Sequence, residues 1–431
     1  MYTRFLIIFF LLSFNVAAKG YQPFIETNVK TAKTLFTGTI LKEKENNKLF
    51  AYFGIPYAQP PVDTLRWKAP RNIVMQEKEK SATKRPNRCP QLAGTIDSIE
   101  EGFTVGEIIG SEDCLYLNVF LSEKARNSKN KLPVMVWVHG GSNVSGHGTD
   151  ERYTDGDFVL DHEIILVTIN YRLGPFGWFY NSAINKNTNN PLDASGNYGT
   201  LDIMKSLEWV NENISYFGGD PDNITIFGES AGGNNVLSLL ASPMGNALFH
   251  KAISQSGYTT SFTREEALGI NQKGIVVNRL GSDPVLSSYD SSGYASMKNL
   301  FNKDPEKHGE EYQRYLRSID GKVLLEIYKK LSKDTYDRLP LLTRDGIVTH
   351  IDGVSAGLSS SREKNNIPII AGSNKDELSL WLGSNRYFVN ASYPLTKLVP
   401  IPKIEFKRED LYKLWVKTRS QGWKLRGVDE P

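Results

Sequence analysis

The chain has 431 residues, 40% hydrophobic and 23% charged, a globular composition that excludes disorder as the default and leaves room for one large domain with insertions or for two domains. Its formal net charge is only +3, from 51 basic and 48 acidic residues, and no Lys/Arg block alternates with aromatics, so nucleic acid is not an expected partner. Residues 1–18 read as an export signal: Arg4 gives a positive start, Phe5 to Val16 is apolar, and Val16 and Ala18 are small residues before a cut at Lys19. The alternative is an uncleaved N-terminal anchor, but the run is short for a bilayer span, and no later stretch is long and apolar enough for one. The mature chain, from residue 19 to 431, is expected to be secreted or periplasmic and without an integral membrane segment.

Phe50 to Arg66 is rich in Pro, Gly and Tyr and reads as irregular structure. Strands and helices then alternate. Leu132 to Val138 and Ile164 to Asn170 are short apolar runs, expected as buried strands. Leu201 to Ile214 carries apolar residues at helical spacing. Ile224 to Phe227 predicts a strand, Ala231 to Ala241 a helix, and Lys251 to Ser254 and Ile367 to Ala371 two further strands. This alternation predicts an α/β fold with a mostly parallel sheet and helices on both faces. From about 262 to 340 polar helical segments take over, among them Glu310 to Ser318 and Lys322 to Leu331, broken at Asp320–Gly321. They are expected to form a helical insertion that caps the sheet, or else a peripheral subdomain.

Gly228-Glu229-Ser230-Ala231-Gly232 fits G-x-S-x-G, in which glycines permit a sharp strand-to-helix turn that lifts the serine hydroxyl off the sheet. The pattern alone is weak. Gly353-Val354-Ser355-Ala356-Gly357 fits it too, but a short polar stretch follows and no buried helix is expected there. Ser230 lies between a predicted strand and a predicted helix, so it is the candidate nucleophile. His139-Gly140-Gly141-Ser142 directly follows the predicted strand Leu132 to Val138. A glycine-rich turn there aims backbone N–H groups at a developing oxyanion, or is simply a tight loop. Cys89 and Cys114 are the only cysteines; in an exported chain they are a disulfide candidate, the alternative being two buried thiols. Neither has zinc-site company, and no metal is expected.

Phe217-Gly218-Gly219-Asp220-Pro221 through Gly232 resembles the serine region of type-B carboxylesterases and cholinesterases, members of the α/β-hydrolase fold. Glu112-Asp113-Cys114-Leu115-Tyr116-Leu117-Asn118-Val119, Asn170-Tyr171-Arg172-Leu173-Gly174, and Gly196-Asn197-Tyr198-Gly199 through Asp202 resemble further segments of that family. The resemblance runs from about Phe36 to the end. It implies a carboxylic ester hydrolase acting on small-molecule esters through an acyl-enzyme, with no cofactor. Ser230 would be the nucleophile, and the N–H groups of Gly141, Ser142 and Ala231 the oxyanion hole; many relatives have glycine at the position of Ser142. Cys89 and Cys114 would form the family's first disulfide. Spacing leaves Asp376 and Glu377 equally open as the acid, and the resemblance selects Glu377. Cholinesterases carry a choline-binding tryptophan in the loop between those cysteines; this loop has none, so choline esters are not the expected substrates.

In this fold the catalytic histidine follows the acid. The six histidines, His139, His147, His162, His250, His308 and His350, all precede Glu377. The last elements of the fold and its histidine are therefore expected to lie outside these 431 residues, which alone should hydrolyse esters feebly. The alternative from another class is a non-catalytic relative, a cholinesterase-like adhesion or binding protein or a pseudoenzyme. A triacylglycerol lipase differs only in substrate. The sequence does not fix the oligomeric state.

Overall fold

The structure is a computed structural model that describes residues 27–74, 78–94, 102–186, 188–332, 339–361 and 366–374, and the backbone of two short strands at 389–392 and 403–406. The signal-peptide reading falls outside these residues.

The central sheet has eight strands: β1 Thr39–Lys44, β2 Asn47–Pro56, β3 Tyr116–Ser122, β4 Leu132–Val138, β5 Ile165–Ile169, β6 Gly219–Glu229, β7 Lys251–Gln255 and β8 Ile369–Gly372. Across the sheet the order is β8-β7-β6-β4-β5-β3-β2-β1. The five strands from β8 to β5 run parallel, and β3, β2 and β1 continue the sheet antiparallel. The stretch expected to be irregular is thus strand over its first seven residues, Phe50 to Pro56. β2 runs to Pro56 with both faces buried, and its register shift between Tyr52 and Ile55, beside Gly54, accommodates the glycine that disguised it.

Side-chain alternation divides the core. Phe50, Tyr52, Val134, Val136, Val138 and Ile226 face one side, where helices α1 (Tyr198–Asn213) and α2 (Ala231–Ala241) contribute Leu207, Val210, Val236 and Leu239. Leu49, Ala51, Phe53, Trp137 and Leu166 face the other, where the short helix Asp157–Asp161 adds Val159. Strands covered on both sides read as near-continuous apolar runs, which is why β4 and β5 show no alternation in the sequence.

A block of helices follows: α3 Arg264–Leu268, α4 Ser282–Tyr289, α5 Ser291–Lys303, α6 Pro305–Arg317 and α7 Gly321–Leu331. The Asp320–Gly321 break is an N-cap: the Asp320 carboxylate accepts the N–H of Lys322 at 2.8 Å and of Val323 at 3.2 Å. Beneath their polar faces these helices bury Leu286, Tyr294, Phe301, Tyr312, Leu316, Leu324 and Tyr328 in a second apolar cluster, shared with Trp67, Phe176 and Phe179. Arg66 joins the block to the body through Glu112 (Nε–Oε2 2.7 Å) and the Arg317 carbonyl (3.1 Å). Among the described residues no helix is long and apolar enough to cross a membrane.

Candidate active site

The strand order reverses between β4 and β6, because β4 leads to β5 on one side and has β6 on the other. In open α/β sheets the crevice beyond the carboxyl ends of strands at such a switch point is where ligands bind. β4 ends at Val138, whose register partner is Gly228. The turn from His139 to Ser142 and Ser230 therefore leave adjacent strands on the same edge of the sheet.

Ser230 has φ 55° and ψ −120°, between the end of β6 and the first residue of α2. Such a conformation costs of order 1–3 kcal/mol and persists only where the surroundings fix it. Here the Ser230 N–H donates to the Gln255 carbonyl on β7 at 2.9 Å, and its own carbonyl accepts the Asn234 N–H at 2.9 Å. Gly232 lets the start of α2 press against the end of β4: a Cβ there would meet the Val138 carbonyl oxygen at 2.0 Å. The Ala231 N–H, in the first turn of α2, has no acceptor within the helix and lies where the helix dipole favours negative charge.

Gly141, Ser142 and Asn143 all have positive φ, at 99°, 56° and 57°. Two successive non-glycine residues in that region are held by bonds within the loop and by one from outside it. The carbonyl of Gly141 accepts the N–H groups of Val144 and Ser145 at 3.0 Å, and the Asn143 carbonyl accepts the Gly174 N–H at 2.7 Å. Gly140 brings the turn over the serine, since a Cβ there would lie 3.4 Å from Ser230 Cβ. Ser230, Ala231, Gly141 and Ser142 are thus brought together, and Gly141 and Ser142 are exposed.

Behind the turn is a polar cluster that sequence reasoning missed. Asn143 and Asn235, 1% and 0% exposed, face each other, and the Tyr171 hydroxyl reaches the His139 carbonyl at 2.6 Å. The sequence held two faint signals: Asn143 heads a glycosylation sequon, which its burial closes to a glycan in the folded chain, and Tyr171 lies in a segment that resembles the family's. The His139 ring stacks on Tyr171 with centroids 4.4 Å apart. Its Nδ1 lies 2.8 Å from the Gly140 carbonyl, so Nδ1 carries the proton, and Nε2 is a buried acceptor without a partner among the described residues. Burial pushes this histidine's pKa down to about 4, against smaller upward pulls from the Gly140 hydrogen bond and the Asp150 charge.

Among the described residues no histidine nitrogen hydrogen-bonds Ser230 Oγ. His250 Nδ1 accepts the Ile224 N–H at 3.2 Å, six strand residues or about 20 Å before Ser230. His147 pairs with Thr149 at 3.0 Å, and His308 lies 3.5 Å from Glu311. His162 packs its ring against Phe158, and His350 Nδ1 accepts the Asp352 N–H at 3.2 Å. Glu377 and Asp376 fall outside the described residues. Cys89 and Cys114 are joined as a disulfide with Cα atoms 5.1 Å apart. Ser355, in the second glycine pattern, differs from expectation in one respect: a helix, α8 Val354–Ser361, does form there. Ser355 lies inside it, exposed, instead of on a turn before it, and Gly357 serves close packing on α2, a Cβ there meeting Ala241 Cβ at 2.8 Å.

Residues 25–397 match the model of the carboxylesterase family. The para-nitrobenzyl esterase of Bacillus subtilis (strain 168) is 41% identical over 273 residues, 61% of this chain and 53% of that one. Carboxylesterase 1D of Rattus norvegicus is 33% identical over 360 residues, 80% of this chain and 58% of that one. A solved PNB esterase structure aligns with a TM-score of 0.62 at 30% identity, over 85% of this chain and 66% of its own. The chain spans about half the length of these curated relatives.

Proposed function

The chain belongs to the carboxylesterase family, and from that premise we propose that it hydrolyses small carboxylic esters by acyl transfer through Ser230. The observation that carries this reading is the strained Ser230 turn at the switch point, over which Gly140 brings the turn carrying the exposed, positive-φ residues Gly141 and Ser142. Ser230 Oγ attacks the ester carbonyl while a base takes its proton. The N–H groups of Gly141, Ser142 and Ala231 hold the oxyanion; the alcohol leaves, and water releases the acid from the acyl-serine. Glu377 is the acid that orients and stabilises the base histidine. No step calls for a metal or cofactor. The helices between 264 and 331 cap the crevice. Residues 1–18 direct export, a reading that the Cys89–Cys114 disulfide supports, since such bonds persist in oxidising compartments.

None of the six histidines suits the base role. Five hold partners elsewhere, and His139, with a pKa near 4, is too weak a base near neutral pH. With no strong base among these histidines, ester hydrolysis should be weak, keeping about 10³–10⁴-fold over water from oxyanion stabilisation and binding. The same observation favours the second reading, a non-catalytic binding protein. An external base separates the two. Fluorophosphonate labelling of Ser230 in the 431-residue chain should be slow, should accelerate on adding imidazole, and should vanish in Ser230→Ala. Rapid labelling without imidazole overturns the missing base; no labelling of Ser230 under either condition overturns the nucleophile and leaves the binding protein.

A further inference from the structure

We propose that Asn143 and Asn235 form a positioning pair that sets the oxyanion turn against the nucleophile, an inference that rests on the esterase reading of this site. The pair is reciprocal. Asn235 Nδ2 donates to Asn143 Oδ1 at 2.8 Å, and Asn143 Nδ2 donates back to Asn235 Oδ1 at 3.3 Å. Two antiparallel amide hydrogen bonds fix orientation as well as distance, as a single bond does not. The Tyr171 hydroxyl, which donates to the His139 carbonyl at 2.6 Å, shares that hydrogen with Asn143 Oδ1 at the longer distance of 3.2 Å.

Each partner is rigidly tied to one half of the site. Asn235 lies on α2, the helix that begins beside Ser230 and carries the Ala231 N–H. Asn143 is the last of the three positive-φ residues whose first two supply the other N–H donors. Nothing in the covalent chain fixes the turn relative to α2, because Asn143 and Ser230 lie 87 positions apart in the sequence. The β4–β6 pairing and the close packing at Gly140 and Gly232 bring the two together, and the pair adds a side-chain link between them. Asparagine tolerates φ near +57° better than other non-glycine residues, so one side chain both permits the turn and anchors it. Two amides in a core that apolar side chains would fill are favourable only when both are hydrogen-bonded, and here they are. Oxyanion donors must meet the developing charge within a few tenths of an ångström, which is the tolerance such a pair controls.

The test replaces oxygen by sulfur in the substrate. A thionoester places sulfur where the oxyanion forms, and sulfur accepts these hydrogen bonds poorly, so aligned donors favour the oxygen ester. The ratio of oxygen-ester to thionoester hydrolysis is measured on the full 431-residue chain with imidazole as base, for wild type, Asn235→Leu, Asn235→Gln, Asn143→Gly and Ser230→Ala. The expected result is a fall of about tenfold or more in that ratio for Asn235→Leu and Asn143→Gly, through kcat with KM within about twofold. Asn235→Gln, which keeps the amide, should recover part of it. A loss that strikes both esters alike, or no loss, makes the pair merely structural and overturns the inference. If Asn235→Leu fails to fold, Asn143→Gly carries the decision from the other partner. Ser230→Ala tells the two failures apart: if it keeps the imidazole-dependent rate, the esterase reading itself is wrong and the inference falls with it.

Discussion

His139 shows how one residue at the turn links site geometry to the stability of the protein. Its Nδ1 proton is committed to the Gly140 carbonyl and its Nε2 is buried without a partner, so a second proton would have no acceptor. Burial accordingly holds its pKa near 4, below the ordinary value of about 6.5. The unfolded chain takes up this proton below pH 6.5 and the folded chain does not until about pH 4. Stability from this residue is therefore complete above pH 6.5 and falls with pH between 6.5 and 4, by about 3 kcal/mol in all. Urea unfolding at several pH values, for wild type and His139→Phe, isolates the effect: the variant keeps the stacking on Tyr171 but should lose that part of the slope. Parallel pH profiles would show that His139 titrates alike folded and unfolded.

At the scale of elements, α2 was legible to the residue, because an apolar helical pattern with no proline follows Ser230 directly. β4 and β7 were legible too, being short apolar runs between turn signals. What escaped depended on partners distant in sequence. β2 hid behind Gly54 and Pro56, and its pairing with β1 and β3 makes it a strand. The helix over Ser355 escaped because its polar residues contact solvent while Gly357 packs on α2. The Asn143–Asn235 pair escaped because no local pattern joins a turn to a helix so far along the chain. A buried ion pair belongs to the same class. Arg172, in the loop after β5, meets Asp202 on α1 with two bonds of 2.7 Å, its side chain 2% exposed and that of Asp202 0%. Both residues sit in segments that carry the family resemblance, yet their work is architectural: they hold α1 against the loop beside the oxyanion turn. Arg172→Met should cost about 3–5 kcal/mol in urea unfolding by stranding a buried carboxylate, and Arg172→Met with Asp202→Leu should recover much of it. A loss in the double variant equal to the sum of those in Arg172→Met and Asp202→Leu would show that the two charges are not coupled.

For the whole molecule, the antiparallel half of the sheet and the catalytic edge are tied together by the Cys89–Cys114 disulfide. Cys114 lies just before β3, and Cys89 lies in the long segment between β2 and β3. From there the link continues to the active-site turn. Gln91 Nε2 donates to the Cys89 carbonyl and to the Gly146 carbonyl, each at 3.0 Å, and Gln91 Oε1 accepts the Gly146 N–H at 2.8 Å. Gly146 closes the loop that begins at Gly141, so the disulfide anchors the far side of the oxyanion turn as the asparagines anchor its near side. Closing a loop of 25 positions stabilises by about 3 kcal/mol through the unfolded chain. With a denaturant slope of roughly 3 kcal/mol per molar in urea, that corresponds to a midpoint lower by about 1 M in Cys89→Ala with Cys114→Ala. The wild type should shift equally on reduction, while the double variant should not respond to reductant at all. The Gln91 contacts add a second expectation: amide hydrogen exchange across 139–146 should quicken in the double variant under native conditions, because the anchor at Gly146 then rests on a longer free loop. Exchange unchanged in that stretch, with the midpoint lowered as expected, would confine the disulfide to global stability and separate it from the geometry of the site.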